Sequence, residues 1–229
     1  MSNLGPTPLI RQIELATAAS GRKLRLYACA CCRTIGRLMS DQRSHQAVRV
    51  AERFADGQAT LTTLREAHWQ ATQALKLLDV QEGARVLTPL AGDRDRALDA
   101  AHHAARAAWR TSTPELLDGQ AASIVALNAS QAARHADRPI TDLDELFRDL
   151  FGAPLPPPEL DPAWLRWNDG TIPRIAQAIY DQRRFRDVPI LADALEEAGC
   201  TNGDTLEHCR GPGPHVRGCW VVDRLLGKV

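Results

Sequence analysis

Residues 93–110, DRDRALDAAHHAARAAWR, and 114–136, PELLDGQAASIVALNASQAARHA, decide how this chain is read. Alanines and a few larger apolar residues recur at three- and four-residue spacing, with arginine, aspartate and glutamine between them. That is the period of a helix packed on one side, and no stretch shows the strict alternation of a strand. Alanine also has the highest helix propensity. Pro114 stands where a first helical turn can hold it, since the N–H it lacks would be unpaired there anyway. Small alanine faces let helices approach closely, so the pair predicts an antiparallel hairpin inside a bundle.

The same period extends upstream. Residues 22–39 place Leu24, Tyr27, Ala28, Cys31, Ile35 and Leu38 on one helical face, with Arg22, Arg25, Arg33 and Arg37 opposite. Ser40 or Asp41 caps a second helix, which carries Ala47, Val48, Ala51 and Phe54 and stops before Gly57. Thr60 caps a third that runs to Leu78. Downstream, TDLDELFRDLF (141–151) reads as a short acidic helix. Residues 152–162, GAPLPPPELDP, hold five prolines and read as an extended strap, anchored by Trp164 and Trp167. Four shorter helices follow: 171–184 capped by Thr171, 188–198 capped by Asp187, 202–209 and 214–227, with Gly199 and Gly211 as stops. The expected fold is all-α: a helical bundle over 1–151, a proline/tryptophan strap over 152–170, and a C-terminal short-helix module over 171–229 packed on the first.

Composition sets the outer limits. The chain has 229 residues, 44% hydrophobic and 24% charged, which is enough apolar material for a core and excludes global disorder. It contains 35 alanines and 25 arginines but only three lysines. No run of about 18 apolar residues is free of charge, so no membrane partner is expected. The first twenty residues lack the basic-then-apolar order of a secretory signal. A cytoplasmic location is therefore expected, with the six cysteines reduced.

The 28 basic and 28 acidic side chains cancel, which removes any whole-molecule field toward nucleic acid or membrane. The cancellation is not local. Residues 21–54 carry eight basic against two acidic groups, a net of +6, and residues 141–161 carry six acids against Arg148, a net of −5. Solvated or mutually paired helix faces account for both. The functional alternative is a basic face for an anion or a nucleic acid, built from Arg22, Arg25, Arg33 and Arg37. Arg210 and Arg217, flanking the turn GPGPH, are further candidates for an anion contact.

The residues best suited to chemistry are Cys200, His208, Cys209, His215 and Cys219, spaced C-x7-H-C-x5-H-x3-C. Thiolate and imidazole are the donors of a tetrahedral zinc site, and His215 and Cys219 are expected one turn apart on the helix 214–227. No CxxC knuckle accompanies them, and burial of these cysteines in the core is the competing explanation. In the first cysteine group, Cys31 points into the core and Cys29 toward the arginines, so the three sulfurs do not converge. His102, His103 and His135 would meet if the two alanine-rich helices pair. No nucleophile elbow, HExxH pair or phosphate loop occurs, so no catalytic residue is assigned.

The segments RKLRLYACACCR and AVRVAERFADG near the start, with ILADALEEAGC and LEHCRGPGPHVRGCWVVDRLLGK at the end, resemble a large paralogous family of planctomycete bacterial proteins. The resemblance covers roughly residues 20–57 and 143–229. It implies a bacterial, cytosolic context and supplies no activity, cofactor or site residue. From the sequence, the chain reads as a non-enzymatic protein-interaction or regulatory module whose partner is another protein. The alternatives are a zinc-binding protein or metalloenzyme built on the C-terminal Cys/His set, and nucleic-acid binding through the helices of residues 22–53.

Overall fold

The structure is a computed structural model that describes residues 21–87, 93–115, 119–137, 143–152 and 158–228. The described residues are all-α, without a strand. The helices are α1 (Gly21–Thr34), α2 (Gln42–Ala55), α3 (Leu61–Leu87), α4 (Asp93–Thr111), α5 (Gly119–His135), α6 (Leu143–Phe151), α7 (Thr171–Asp181), α8 (Val188–Glu197), α9 (Gly203–Arg210) and α10 (Trp220–Leu225). Short 3-10 turns occupy Gly36–Leu38, Trp167–Gly170 and Phe185–Asp187. The chain divides into two compact units, with the boundary between Leu143 and Asp144.

The first unit is built around α1. Every residue from Leu24 to Cys32 is buried, so this helix has no solvated arginine face along its middle. It packs against α2, α4 and α5. The α4–α5 pair is the most extensive helix–helix contact of the unit, floored by Ala100, Ala104, Ala107 and Ala108 against Ala122, Val125, Ala129 and Ala132. The pair runs antiparallel: His103 faces Asn128 and His135, while Arg96, earlier on α4, reaches Asp137 beyond the end of α5. With methyl groups on both sides, the two backbones approach closely.

Local chemistry sets the helix ends. Asp41 caps α2 by accepting the Arg43 N–H at 2.8 Å, and Thr60 accepts from the Thr63 N–H at 3.2 Å ahead of α3. The helix expected over 22–39 ends at Thr34, and Gly36–Leu38 form a separate 3-10 turn. The third helix runs past Leu78 to Leu87.

The second unit has its own core, in which Ile172, Ile179 and Tyr180 of α7 meet Leu191 and Leu195 of α8, Cys209 of α9, and Trp220, Val221 and Leu225 of α10. Trp164 is buried in this core and Trp167 packs against it, as anchors after the proline-rich segment. Residues 153–157 of that segment lie outside the described residues. Asn202 caps α9, accepting from the Thr205 N–H at 2.9 Å. Gly199, at φ +90°, ends α8 in a conformation that costs a residue with a side chain. Two expectations fail in this unit. Thr171 is the first residue of α7 rather than its cap, with Gly170 in the cap position, and the helix ends at Asp181. The helix expected over 214–227 is only Trp220–Leu225, because residues 211–219 form a loop with Gly213 and Gly218 both at positive φ.

Candidate metal centre

The loop that replaces the expected helix builds the site. Asp149 on α6, His208 on α9, and His215 and Cys219 at the two ends of the loop's last stretch converge, with one donor atom from each within 4.8 Å of all the others. His208 Nε2 lies 3.3 Å from Cys219 Sγ and 3.3 Å from Asp149 Oδ1. His215 Nδ1 lies 2.8 Å from the same carboxylate oxygen. The Val216 N–H donates to Asp149 Oδ2 at 2.9 Å, so the backbone orients the carboxylate. Trp220 stands 5.3 Å from the His208 ring, a wall that limits its rotation.

The centre is nearly dry. Asp149 is 2% exposed and Cys219 fully buried, while the His215 and His208 side chains are 7% and 17% exposed. Burial by itself would raise the Asp149 carboxyl, but the hydrogen bonds and charge of His208 and His215 outweigh it and hold the group below its ordinary value. Burial and the Asp149 charge push the Cys219 thiol well up. Cys209 is pushed up to about 12 by burial, with Asp149 and Cys200 adding to it. These cysteines are therefore poor nucleophiles in the metal-free protein.

The hydrogen-bond arithmetic at His208 is telling. One nitrogen faces both a carboxylate oxygen and a sulfur at equal distance, and a single proton there cannot serve both at full strength. It also excludes a nucleophilic Cys–His–Asp relay, which needs the acid and the thiol on opposite ring nitrogens. His215 Nε2 is buried with no hydrogen-bond partner among the described residues. A cation resolves the first conflict, because it accepts lone pairs from all four donors at once. Tetrahedral zinc, with bonds of about 2.0–2.3 Å, sets donor–donor edges at about 3.3–3.6 Å. The two 3.3 Å contacts match that spacing, and the 2.8 Å pair needs to open by about half an ångström. This Asp, His, His, Cys cluster could hold a metal ion.

Of the five sequence candidates, His208, His215 and Cys219 come together, whereas Cys200 and Cys209 are buried in the core of the unit and lie outside the donor set. His215 and Cys219 reach the site from a loop, not from one face of a helix. Asp149 was missed. The one available signal was a carboxylate in an otherwise apolar-and-charged helix, three residues after the buried Leu146, and many solvated helix faces share it.

The basic candidates are largely engaged inside their own unit. Arg22 pairs with Asp56 at 3.0 Å and Arg33 with the buried Glu52 at 2.6 Å. Arg25 is itself buried, donating to the carbonyls of Thr111, Thr113 and Glu115 at 2.8–2.9 Å. Arg210 binds Glu196, and Arg217 donates to the Tyr180 carbonyl while lying over its ring. Arg37 is exposed and makes no such pair among the described residues, and it lines a cavity of the first unit. Cys29, Cys31 and Cys32 are all buried. His103 and His135 do stack, 5.4 Å apart, but His102 turns to Asp79 at 2.7 Å, so the three rings share no ligand point. No helix among the described residues is long and apolar enough to cross a membrane.

Comparison with protein-family models, with curated proteins and with solved structures gives no match.

Proposed function

We propose that the second unit is a zinc-class metal-binding module, with Asp149, His208, His215 and Cys219 as the ligands. The observation that carries this reading is the convergence of a carboxylate, two imidazoles and a thiol, each donor within 4.8 Å of all the others and two contacts at 3.3 Å, in a nearly dry site. The donor chemistry selects the metal: sulfur and imidazole favour zinc and its transition-metal neighbours, while calcium and magnesium require oxygen. Four protein donors fill a tetrahedron, as structural zinc sites do. The ion would fasten α6 to α9 and the loop 211–219, three segments that meet at no other cluster of donors among the described residues. A cavity of about 350 Å³, lined by Glu145, Arg148 and Glu207 beside the two histidines, gives an ion its way in from solvent.

The test is elemental analysis of untagged protein after dialysis against zinc. About one zinc per chain is expected, with loss in Asp149→Ala, His208→Ala and Cys219→Ser, and a lower melting temperature after chelation. Less than about 0.1 metal per chain in the folded wild-type protein ends the reading.

A second reading, a protein-interaction module, is favoured by a separate observation in the first unit. Trp69, Leu77 and Val80 share one face of α3 and are 55%, 55% and 70% exposed. Large apolar side chains clustered in water are the usual mark of a surface another protein covers.

A further inference from the structure

The geometry points to a binding site for a small organic phosphate in the first unit, separate from the metal centre. Its cavity, about 470 Å³, lies within the range of small-ligand sites. It exists because α4 turns Ala97, Ala100 and Ala101 toward it, side chains too short to fill the space. The connector after α1 supplies one rim and the end of α5 the other.

Three cationic or donor groups from three different elements line this space: Arg37 from the 3-10 turn, Arg96 from the first turn of α4, and His135 from the last turn of α5. Arg37 is exposed, whereas Arg22, Arg33 and Arg25 of α1 are engaged by Asp56, Glu52 and backbone carbonyls, so Arg37 is the cation this segment places on the cavity lining. Arg96 contacts Asp137 at 3.1 Å, but its side chain is 54% exposed and that of Asp137 is 73% exposed. A pair so open to water is a weak contact, and this pair by itself does not outcompete a doubly charged anion at the cavity. His135 is held by its stack on His103 and lies 3.7 Å from Asp99.

Guanidinium groups donate and never accept, so two of them bordering one cavity select an anion, and their planar forks match phosphate oxygens. A bare ion would leave most of the volume empty. Leu38 and the alanine wall instead offer apolar contact to the body of a phosphate ester of about one ring. Asp137 is the acidic group on the same lining and opposes the anion. Its removal should therefore act with the opposite sign to removal of either arginine, which a general loss of structure cannot imitate.

The test is calorimetric titration of the full chain with phenyl phosphate at low salt, with phenol as the neutral control and a ten-residue oligothymidylate as the nucleic-acid probe. Phenyl phosphate should saturate one site, Arg37→Ala and Arg96→Ala should each weaken it by about tenfold, and Asp137→Asn should tighten it by about threefold. Phenol should not bind. The inference is overturned if phenyl phosphate fails to saturate by about 10 mM, if phenol binds as well, or if Arg37→Ala leaves the affinity unchanged. Tighter, steeply salt-dependent binding of the oligonucleotide would assign the surface to a nucleic-acid backbone and overturn it too.

Discussion

Arg25 and Arg37 look alike in the sequence, twelve residues apart on what reads as one basic face, and the fold gives them opposite work. Arg25 is 3% exposed and satisfies carbonyls at the C-terminal end of α4 and just beyond it, where a helix leaves acceptors without an intrahelical donor. Desolvation lowers the pKa of its guanidinium, with the charges of Cys29 and Glu115 acting in the other direction. Arg25→Ala removes a charged donor from three buried or half-buried bonds and is expected to cost about 3 kcal/mol of stability. Arg37→Ala, at an exposed position, should cost less than about 0.5 kcal/mol. Urea unfolding midpoints of the two variants check the contrast, and equal effects would contradict these roles. Asp149 makes the same point for an acid: a helix carboxylate usually reaches water, and this one is sealed among two imidazoles and a thiol.

At the scale of elements, α3 is the helix whose pattern carries two messages. Leu64, Ala67, Ala71, Ala74 and Leu78 are buried, as the three-to-four spacing predicts. Trp69, Leu77 and Val80 are apolar on a face that the rest of the unit leaves exposed. A helix apolar on more than one side within a folded unit needs a second cover. If that cover is another protein, Val80→Asp should abolish co-purification of a stoichiometric partner while leaving the helical circular dichroism unchanged. Retention of the same partner by the variant would remove α3 from the interface. The loop 211–219 is the opposite case. Its residues show helical spacing in isolation, yet Pro212, Pro214 and the positive-φ glycines Gly213 and Gly218 stop a helix from forming. That interruption carries His215 and Cys219 to the site by different routes.

At the scale of the molecule, the two units differ in what their buried polar groups do. In the first, thiols are packed as small apolar side chains. Burial, with the neighbouring Cys32 adding to it, raises Cys31, and burial pushes Cys32 up to about 12. Because the folded values lie above those of the unfolded chain, these thiols leave stability whole below about pH 8.5 and reduce it as pH rises from there toward the folded values. Each should steepen the alkaline loss by up to about 1.4 kcal/mol per pH unit. Urea unfolding between pH 8 and pH 10.5 should show that slope flattened in Cys31→Ala/Cys32→Ala, and an identical slope in the double variant would contradict the assignment. In the second unit the polar groups are gathered into a set of donors that an ion can join.

The all-α class, the hairpin of alanine-rich helices and the caps Asp41 and Thr60 were all legible in the sequence, because helix period, propensity and capping act over a few residues. His208, His215 and Cys219 were legible as suitable donor types for the same reason, since ligand chemistry belongs to the side chain. Which donors meet was decided only by the tertiary structure. Asp149 lies 66 residues before His215 in the chain, and its place beside that ring depends on how α6, α9 and the loop pack. Charge pairing followed the same rule: the arginines of the +6 segment read as one basic face, and contacts between elements engage Arg22 with Asp56, Arg33 with Glu52 and Arg25 with carbonyls at the end of α4. Local forces fix what each segment is. Burial and long-range packing, which no short window of sequence contains, fix what each charged or metal-binding side chain can do.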